Sequence, residues 1–144
     1  MSFKYLPALI LLTIWAFSFC NRKSTSNFSD QVTPVVINPN FEEYHPYSDL
    51  EILSASIDGD VLSVEIQCKG CGKDQGFDMV NNKNYMKSMP PGTTLYPVKL
   101  PCKTKNDVSV GVYKFDITAI KYPGVEQVWI VIPGYDHRIN YNYK

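Results

Sequence analysis

Cys68-Lys69-Gly70-Cys71, near the middle of the chain, has the spacing of a redox dithiol or of half a zinc site. A redox cysteine normally begins a helix that follows a strand, where the helix dipole lowers the thiol pKa. Here Gly70, Gly72 and Gly76 indicate a turn instead of a helix. We therefore favour a disulfide as the interpretation of this motif, a metal site as the second and a redox dithiol as the third.

A zinc site needs four ligands, and the sequence offers Cys68, Cys71, Cys102 and either His45 or His137. The first twenty residues have the pattern of a signal peptide, described below, which places the chain outside the cytoplasm. There cysteines form disulfides more commonly than metal sites. We therefore expect a disulfide and no cofactor. The alternative function is an envelope metal-binding protein that uses the three cysteines and His137.

Among the disulfide pairings, Cys71 with Cys102 closes a loop of about thirty residues, which stabilises by about 3–4 kcal/mol in the chain-entropy model. Cys68 would then be a buried free thiol. It shares the inward parity of Leu62, Val64 and Ile66 in an alternating strand, and free cysteine packs as a small hydrophobic residue. The alternative pairing is Cys68 with Cys102.

Catalytic residues are not predicted. His137 and Asp136 are adjacent on a turn after Pro133-Gly134, and neighbouring turn residues rarely form the base and orienting acid of a triad. No serine lies in a nucleophile-elbow pattern, and the glycines after Cys68 precede no helical pattern that would hold a phosphate. The sequence predicts a protein that is not an enzyme.

Apolar residues around the Pro90-Pro91 break form a predicted binding surface. The break keeps this segment out of the sheet ladder and near solvent, and tyrosine and methionine are residues that interfaces favour. The competing interpretation is that the aromatic members cover the core. The predicted surface consists of Tyr85, Met86, Met89 and Tyr96.

Residues 1–20 have the pattern of a signal peptide, in which Lys4 precedes an apolar run that ends at Cys20. The polar residues that follow resemble the tether of a bacterial lipoprotein lipidated on that cysteine, although Phe19 stands where a small residue is usual. Cleavage after Ser18 would instead release a secreted soluble protein, and an uncut segment would be a weak anchor. We expect a domain outside the cytoplasm, held in the cell envelope by a lipid on Cys20.

Composition favours one all-β domain. The 144 residues carry 14 basic and 14 acidic side chains, so there is no excess of positive charge that would indicate nucleic-acid binding. Residues 21–48 are polar and interrupted by prolines, so we expect a tether there, with a short edge strand at Val35–Ile37, and a folded domain over 49–144.

Short alternating segments with turn signals predict an immunoglobulin-like antiparallel β-sandwich of about seven strands. Asp58-Gly59 predicts a hairpin between a strand in which Leu53, Ala55 and Ile57 alternate and the strand that ends at Cys68. The run from Val125 to Ile132 is apolar on both parities, which predicts a strand buried on both faces.

The domain also resembles small bacterial lipoproteins with a Gly-Gly-Cys-x-x-His signature. The resemblance covers roughly residues 50–135, with Lys69 where the first glycine would be and Asp74 where the histidine would be. It implies a secreted sandwich with a Cys71–Cys102 link and does not indicate any particular activity. The expected function is thus a non-catalytic binding or structural module, attached to the membrane through its lipid, with an envelope protein or glycan as its partner. The segments that carry the resemblance are Ile57–Leu62, Gly70-Cys71, Phe77, Met79, Cys102 and Phe115–Thr118.

Overall fold

The computed structural model describes residues 27–42, 49–72, 75–101 and 108–144. Within these ranges the complete regular elements are eleven strands and one turn of 3₁₀ helix at Thr118–Ile120. The strands are β1 Asn27–Pro34, β2 Val36–Ile37, β3 Leu50–Asp58, β4 Val61–Lys69, β5 Phe77–Asn81, β6 Tyr85–Met86, β7 Gly92–Thr94, β8 Tyr96–Lys99, β9 Val108–Asp116, β10 Gln127–Val131 and β11 Ile139–Asn142. The all-β prediction is confirmed.

These strands form three sheets, with the orders β1-β9-β4-β3, β11-β10-β7-β6 and β2-β5-β8. The prediction of about seven strands was too low, because short strands such as β7 carry too few side chains to alternate visibly. Pairing is also mixed instead of purely antiparallel, since β1 runs parallel to β9, β2 to β5 and β7 to β10. The sheets enclose one buried hydrophobic cluster, to which β4, β5, β9, β10 and β11 all contribute.

The central hairpin of β3 and β4 lies close to its predicted position. Gly59 and Asp60 form the two-residue turn, one position later than expected, and Gly59 has φ 58°, which glycine adopts without strain. In β4 the inward set is fully confirmed, because Leu62, Val64, Ile66 and Cys68 are all buried.

The predicted alternation of Leu53, Ala55 and Ile57 does not hold through the whole of β3. The register of β3 on β4 shifts between Ile52 and Ser54, so Leu53 is an extra residue without a cross-strand partner. Leu53 is 41% exposed, whereas Ile52 is buried against the core. A bulge of this kind changes which parity faces the core, and the sequence alternation alone does not reveal it.

The structured region also begins earlier than the sequence suggested. Residues 27–34, within the predicted tether, form β1 and pair with β9 from Asn27 opposite Gly111 to Pro34 opposite Asp116. The short edge strand expected at Val35–Ile37 is present as β2. The signal segment 1–20 with Cys20, together with His45 and Cys102, lies outside the described residues. No helix in the described ranges is long and apolar enough to cross a membrane.

Candidate functional site

The two cysteines of the Cys68-Lys69-Gly70-Cys71 motif are bonded to each other. Gly70 has φ 70° and folds the chain back after β4, which brings the Cα atoms of Cys68 and Cys71 to 5.6 Å, within the usual separation for a disulfide. Both residues are fully buried. This pairing differs from the predicted Cys71–Cys102 bridge and from the predicted free Cys68 thiol, because the turn at Gly70 brings Cys68 and Cys71 within bonding distance of each other.

A disulfide removes the two thiolates that the alternative zinc site required. In the described part of the chain, no group of three or more His, Cys, Asp or Glu side chains is arranged to hold a metal ion. His137 lies between β10 and β11 and packs its ring edge-on against Tyr135, with the centroids 5.3 Å apart. The other proposed ligands, Cys102 and His45, are not among the described residues.

Two members of the predicted binding surface are partly buried and contact other parts of the fold. The Tyr85 hydroxyl donates a hydrogen bond to the Ile120 carbonyl at 2.9 Å, and its ring meets Tyr122 edge-to-face. Burial raises the pKa of Tyr85 above its ordinary value. Tyr96 packs against Phe41, with ring centroids 5.2 Å apart. Both tyrosines therefore hold elements together.

The two methionines of that prediction are exposed. Met86 is 41% exposed at the end of β6, and Met89 is 90% exposed in the loop that leads to β7. Met86 pairs with Gly92 across the sheet, so its side chain lies on the sheet face opposite the buried Thr93. The predicted surface thus divides into two structural tyrosines and two solvent-facing methionines.

Trp129 was missed as a surface residue. It lies opposite Gly92, as Met86 does from the other side, and its indole bonds to Ser88 and Pro90, the two neighbours of Met89. In β10 only Val128 and Ile130 are buried, while Trp129 is half-buried on the outer face. The prediction that this strand is buried on both faces was therefore wrong. Its outward positions, Gln127 and Trp129, could have been recognised because glutamine alternates there with β-branched residues.

The indole of Trp129 is fixed on three sides. Its Nε1 donates to the Pro90 carbonyl at 2.9 Å and to the Ser88 hydroxyl at 3.1 Å, which joins β10 to the loop that carries Met89. The ring lies against Gly92, where a Cβ atom would overlap it. The guanidinium of the exposed Arg138 lies over the ring, 4.5 Å from its centroid.

We call Met86, Met89, Trp129 and Arg138 the Trp129 surface. Tryptophan, methionine and arginine are enriched in protein interfaces, and tryptophan and arginine dominate their binding energy. Here the indole is already immobilised in the free protein, so binding would cost little additional side-chain entropy. The arrangement is suited to recognition and carries no nucleophile or general base.

Apart from the Trp129 surface, a cluster of polar side chains lies at the β3–β4 turn. Asp60 accepts hydrogen bonds from the Tyr141 hydroxyl at 2.5 Å and from Lys121 Nζ at 3.1 Å. These contacts hold the pKa of Asp60 below its ordinary value, Tyr141 having the larger effect. Burial and the neighbouring carboxylate raise the pKa of Tyr141, so it stays a neutral donor. This cluster joins β11 to the hairpin.

Comparisons of the chain with protein-family models, with curated proteins and with solved structures find no match.

Proposed function

We propose that this protein is a cell-envelope lipoprotein whose immunoglobulin-like sandwich is a non-catalytic binding module. The observation that carries this proposal is the Trp129 surface. Its indole is held by the loop that carries the exposed Met89, lies on the same sheet face as the exposed Met86, and has an exposed arginine over its ring. The polar cluster around Asp60, by contrast, is used to hold strands together. A binding role is therefore favoured over a catalytic one.

The partner is an envelope protein instead of a glycan. Sugars stack on an open aromatic face, but Gly92 occupies the sheet side of the Trp129 ring and Arg138 lies over it. The guanidinium of the exposed Arg138 offers a fork of N–H donors that fits a carboxylate. We expect a protein segment that places a carboxylate on Arg138 and an apolar side chain between Met86 and Met89.

Attachment to the envelope rests on the signal-like segment 1–20 and on Cys20. The resemblance to small bacterial lipoproteins agrees with it. Intact mass of the mature protein tests this part, with a diacylated or triacylated N-terminal Cys20 as the expected result. A lipid-free species that begins at Phe19 would refute the anchor, and a Cys20→Ala variant should lose membrane retention while its domain stays folded.

The binding surface is tested by photo-crosslinking in intact cells, with the crosslinking residue at position 89. We expect one or a few reproducible protein adducts, which Arg138→Gln and Met86→Ser each diminish. A crosslinker at position 53 is the matched control, because Leu53 is as exposed as Met86 but lies on β3. The same adducts from both positions, or adducts unaffected by Arg138→Gln, would contradict the proposal.

A further inference from the structure

Strand β3 lies at the edge of its sheet, since β4 is its one partner strand in the described part of the chain. Its nine residues include no proline, lysine or arginine, the residues that usually protect an edge from further pairing. The other edge strands of the described sheets are shorter or interrupted: β2 and β6 have two residues each, β11 has four, β8 contains Pro97, and β1 has an irregular register and ends at Pro34. Strand β3 is therefore the most open of these edges.

Ala55 and Ile57 direct their backbone N–H and C=O groups away from the sheet. The Ile117 N–H donates to the Asp60 carbonyl at 2.9 Å, so the even-numbered residues of β4 bond to β9 and its odd-numbered residues bond to β3. Ala55 and Ile57 lie opposite even-numbered residues of β4. Such pairs exchange no hydrogen bonds in an antiparallel ladder. The polar backbone groups of both residues therefore point toward the open edge.

The side chains of residues 54–58 alternate between the two faces of the sheet. Ala55 and Ile57 pack against the core but are only half-buried, whereas Ser54, Ser56 and Asp58 are exposed. The register with β4 is regular over these five residues, up to the turn. An added strand would therefore cover the two inward side chains with apolar residues of its own.

The outer face of this edge carries carboxylates. Asp58 is exposed, and the Ser54 hydroxyl donates to the carboxylate of Glu65 on β4 at 3.1 Å. Glu51 is a third exposed acid, and β3 itself contains no cation. A basic side chain opposite Ser54 would lie beside Glu65, and one opposite Asp58 would pair with it directly.

We propose that residues 54–58 of β3 bind an extended, basic segment of a partner protein by antiparallel strand addition. Apolar side chains of this segment lie opposite Ala55 and Ile57, and lysine or arginine lies opposite Ser54 and Asp58. Main-chain hydrogen bonds to Ala55 and Ile57 hold the segment, and its side chains determine which sequence binds. This site belongs to another sheet than the Trp129 surface and does not depend on it.

A second copy of the chain is a poorer occupant of this edge. Only one antiparallel register pairs both open residues of each copy, with Ala55 of one copy opposite Ile57 of the other. That register places Asp58 of the second copy opposite Ser54, and hence beside Glu65. Like charges at this position oppose self-pairing, whereas a basic segment pairs with both carboxylates.

A synthetic peptide tests this site. Its core is lysine-valine-threonine-valine-lysine, flanked by glycine and serine, and it carries a fluorescent label. Fluorescence anisotropy measures its binding to the full-length protein in detergent, and we expect saturable binding that weakens at higher salt. N-methylation of either valine removes an N–H that bonds to β3, so binding should weaken at least about tenfold. N-methylation of the threonine, whose N–H points away from β3, should have little effect.

Changes in the protein locate the bound peptide. Ala55→Pro removes an open N–H without removing a bond to β4, so the fold should be retained while binding weakens at least about tenfold. Asp58→Asn should weaken binding by about two- to fivefold through loss of a cross-strand charge pair. Arg138→Gln, at the Trp129 surface, is the matched control and should leave binding unchanged. Circular dichroism verifies that each variant is folded.

Absence of binding, or equal binding of the plain and the N-methylvaline peptides, would overturn the proposed site. Loss of binding with the N-methylthreonine peptide alone would overturn the antiparallel register. Weaker binding to Arg138→Gln than to Ala55→Pro would place the peptide on the Trp129 surface instead. A dimer of the peptide-free protein in sedimentation equilibrium, dissociated by Ala55→Pro, would show that a second copy occupies this edge and not a basic segment.

Discussion

The hydroxyl of Tyr141 donates a hydrogen bond to the carboxylate of Asp60, 2.5 Å away. Tyr141 is fully buried in the last strand, whereas Asp60 belongs to the turn between β3 and β4, so one contact joins positions 81 residues apart. Lys121 completes the arrangement with an ion pair to the same carboxylate at 3.0 Å. The contact fixes β11 to the central hairpin.

This contact predicts a specific pH dependence of stability. Asp60 has a lowered pKa because Tyr141 and Lys121 donate to its charged form. The stabilisation is therefore present above the ordinary carboxylate value of 3.8 and is lost as pH falls through the lower folded-state value. We expect Asp60→Asn to lower the thermal midpoint at neutral pH. Below about pH 4 the midpoints of the variant and of the native protein should converge, because the native protein then loses the charge on Asp60.

Thermal unfolding followed by circular dichroism across this pH range measures the effect. Asp116→Asn is measured in the same way, because hydrogen bonds from the hydroxyl and backbone N–H of Thr118 also lower the pKa of Asp116 and add to the pH dependence of stability. Asp58→Asn is a control on the same hairpin. A constant difference between Asp60→Asn and the native protein at all pH values would show that the charge of Asp60 is not responsible.

Substitutions of Tyr85 and of Met89 should differ in their effect on the free energy of unfolding. Tyr85→Ala removes a half-buried ring and its bond to Ile120, so we expect a loss of about 2–3 kcal/mol in unfolding free energy. Met89→Ala changes an exposed side chain and should stay within about 0.5 kcal/mol. Urea unfolding of both variants measures this. An equally large loss for Met89→Ala would place that side chain in the folded core.

The sequence was most informative where a strand has one buried face and a well-defined turn. Leu62, Val64 and Ile66 alternate strictly with polar residues, and Gly59 marks the adjacent turn, so their positions were predictable from period and turn chemistry. Strand β1 was not predictable in this way. Its sequence is polar, and its strand conformation depends on parallel pairing with β9, a partner far along the chain.

The candidate site was predicted only in part, for a similar reason. Met86 and Met89 were expected near solvent because the Pro90-Pro91 break was predicted to keep their segment out of the sheet ladder. Both are exposed, but the ladder part of this prediction was wrong, because Met86 belongs to β6 and pairs with Gly92. Trp129 could not be assigned to the same surface, because its contacts with Pro90 and Gly92 arise only when β7 pairs with β10. Tertiary pairing thus decided which aromatic residue completes the surface.

The disulfide is testable by peptide mapping under non-reducing conditions. We expect a peptide with an internal Cys68–Cys71 bond, which leaves Cys102 as the one alkylatable thiol if Cys20 carries lipid. Closing so short a loop stabilises by about 2 kcal/mol in the chain-entropy model, less than a thirty-residue loop would. Reduction should therefore lower stability modestly. A Cys71–Cys102 cross-linked peptide would contradict this pairing, and stoichiometric zinc with free thiols would favour the metal alternative.

The close approach of Gly92 to Trp129 gives the most specific test of the surface geometry. A methyl group at position 92 would overlap the indole, so Gly92→Ala should displace the ring and cost about 1–3 kcal/mol. In a Trp129→Ala background the same change should be nearly neutral, and this double-mutant cycle isolates the contact. Trp129 is the only tryptophan outside the signal-like segment, so its fluorescence reports the displacement directly as a shift to longer wavelength. Equal costs of Gly92→Ala in both backgrounds, with an unchanged spectrum, would show that the indole does not lie against this glycine.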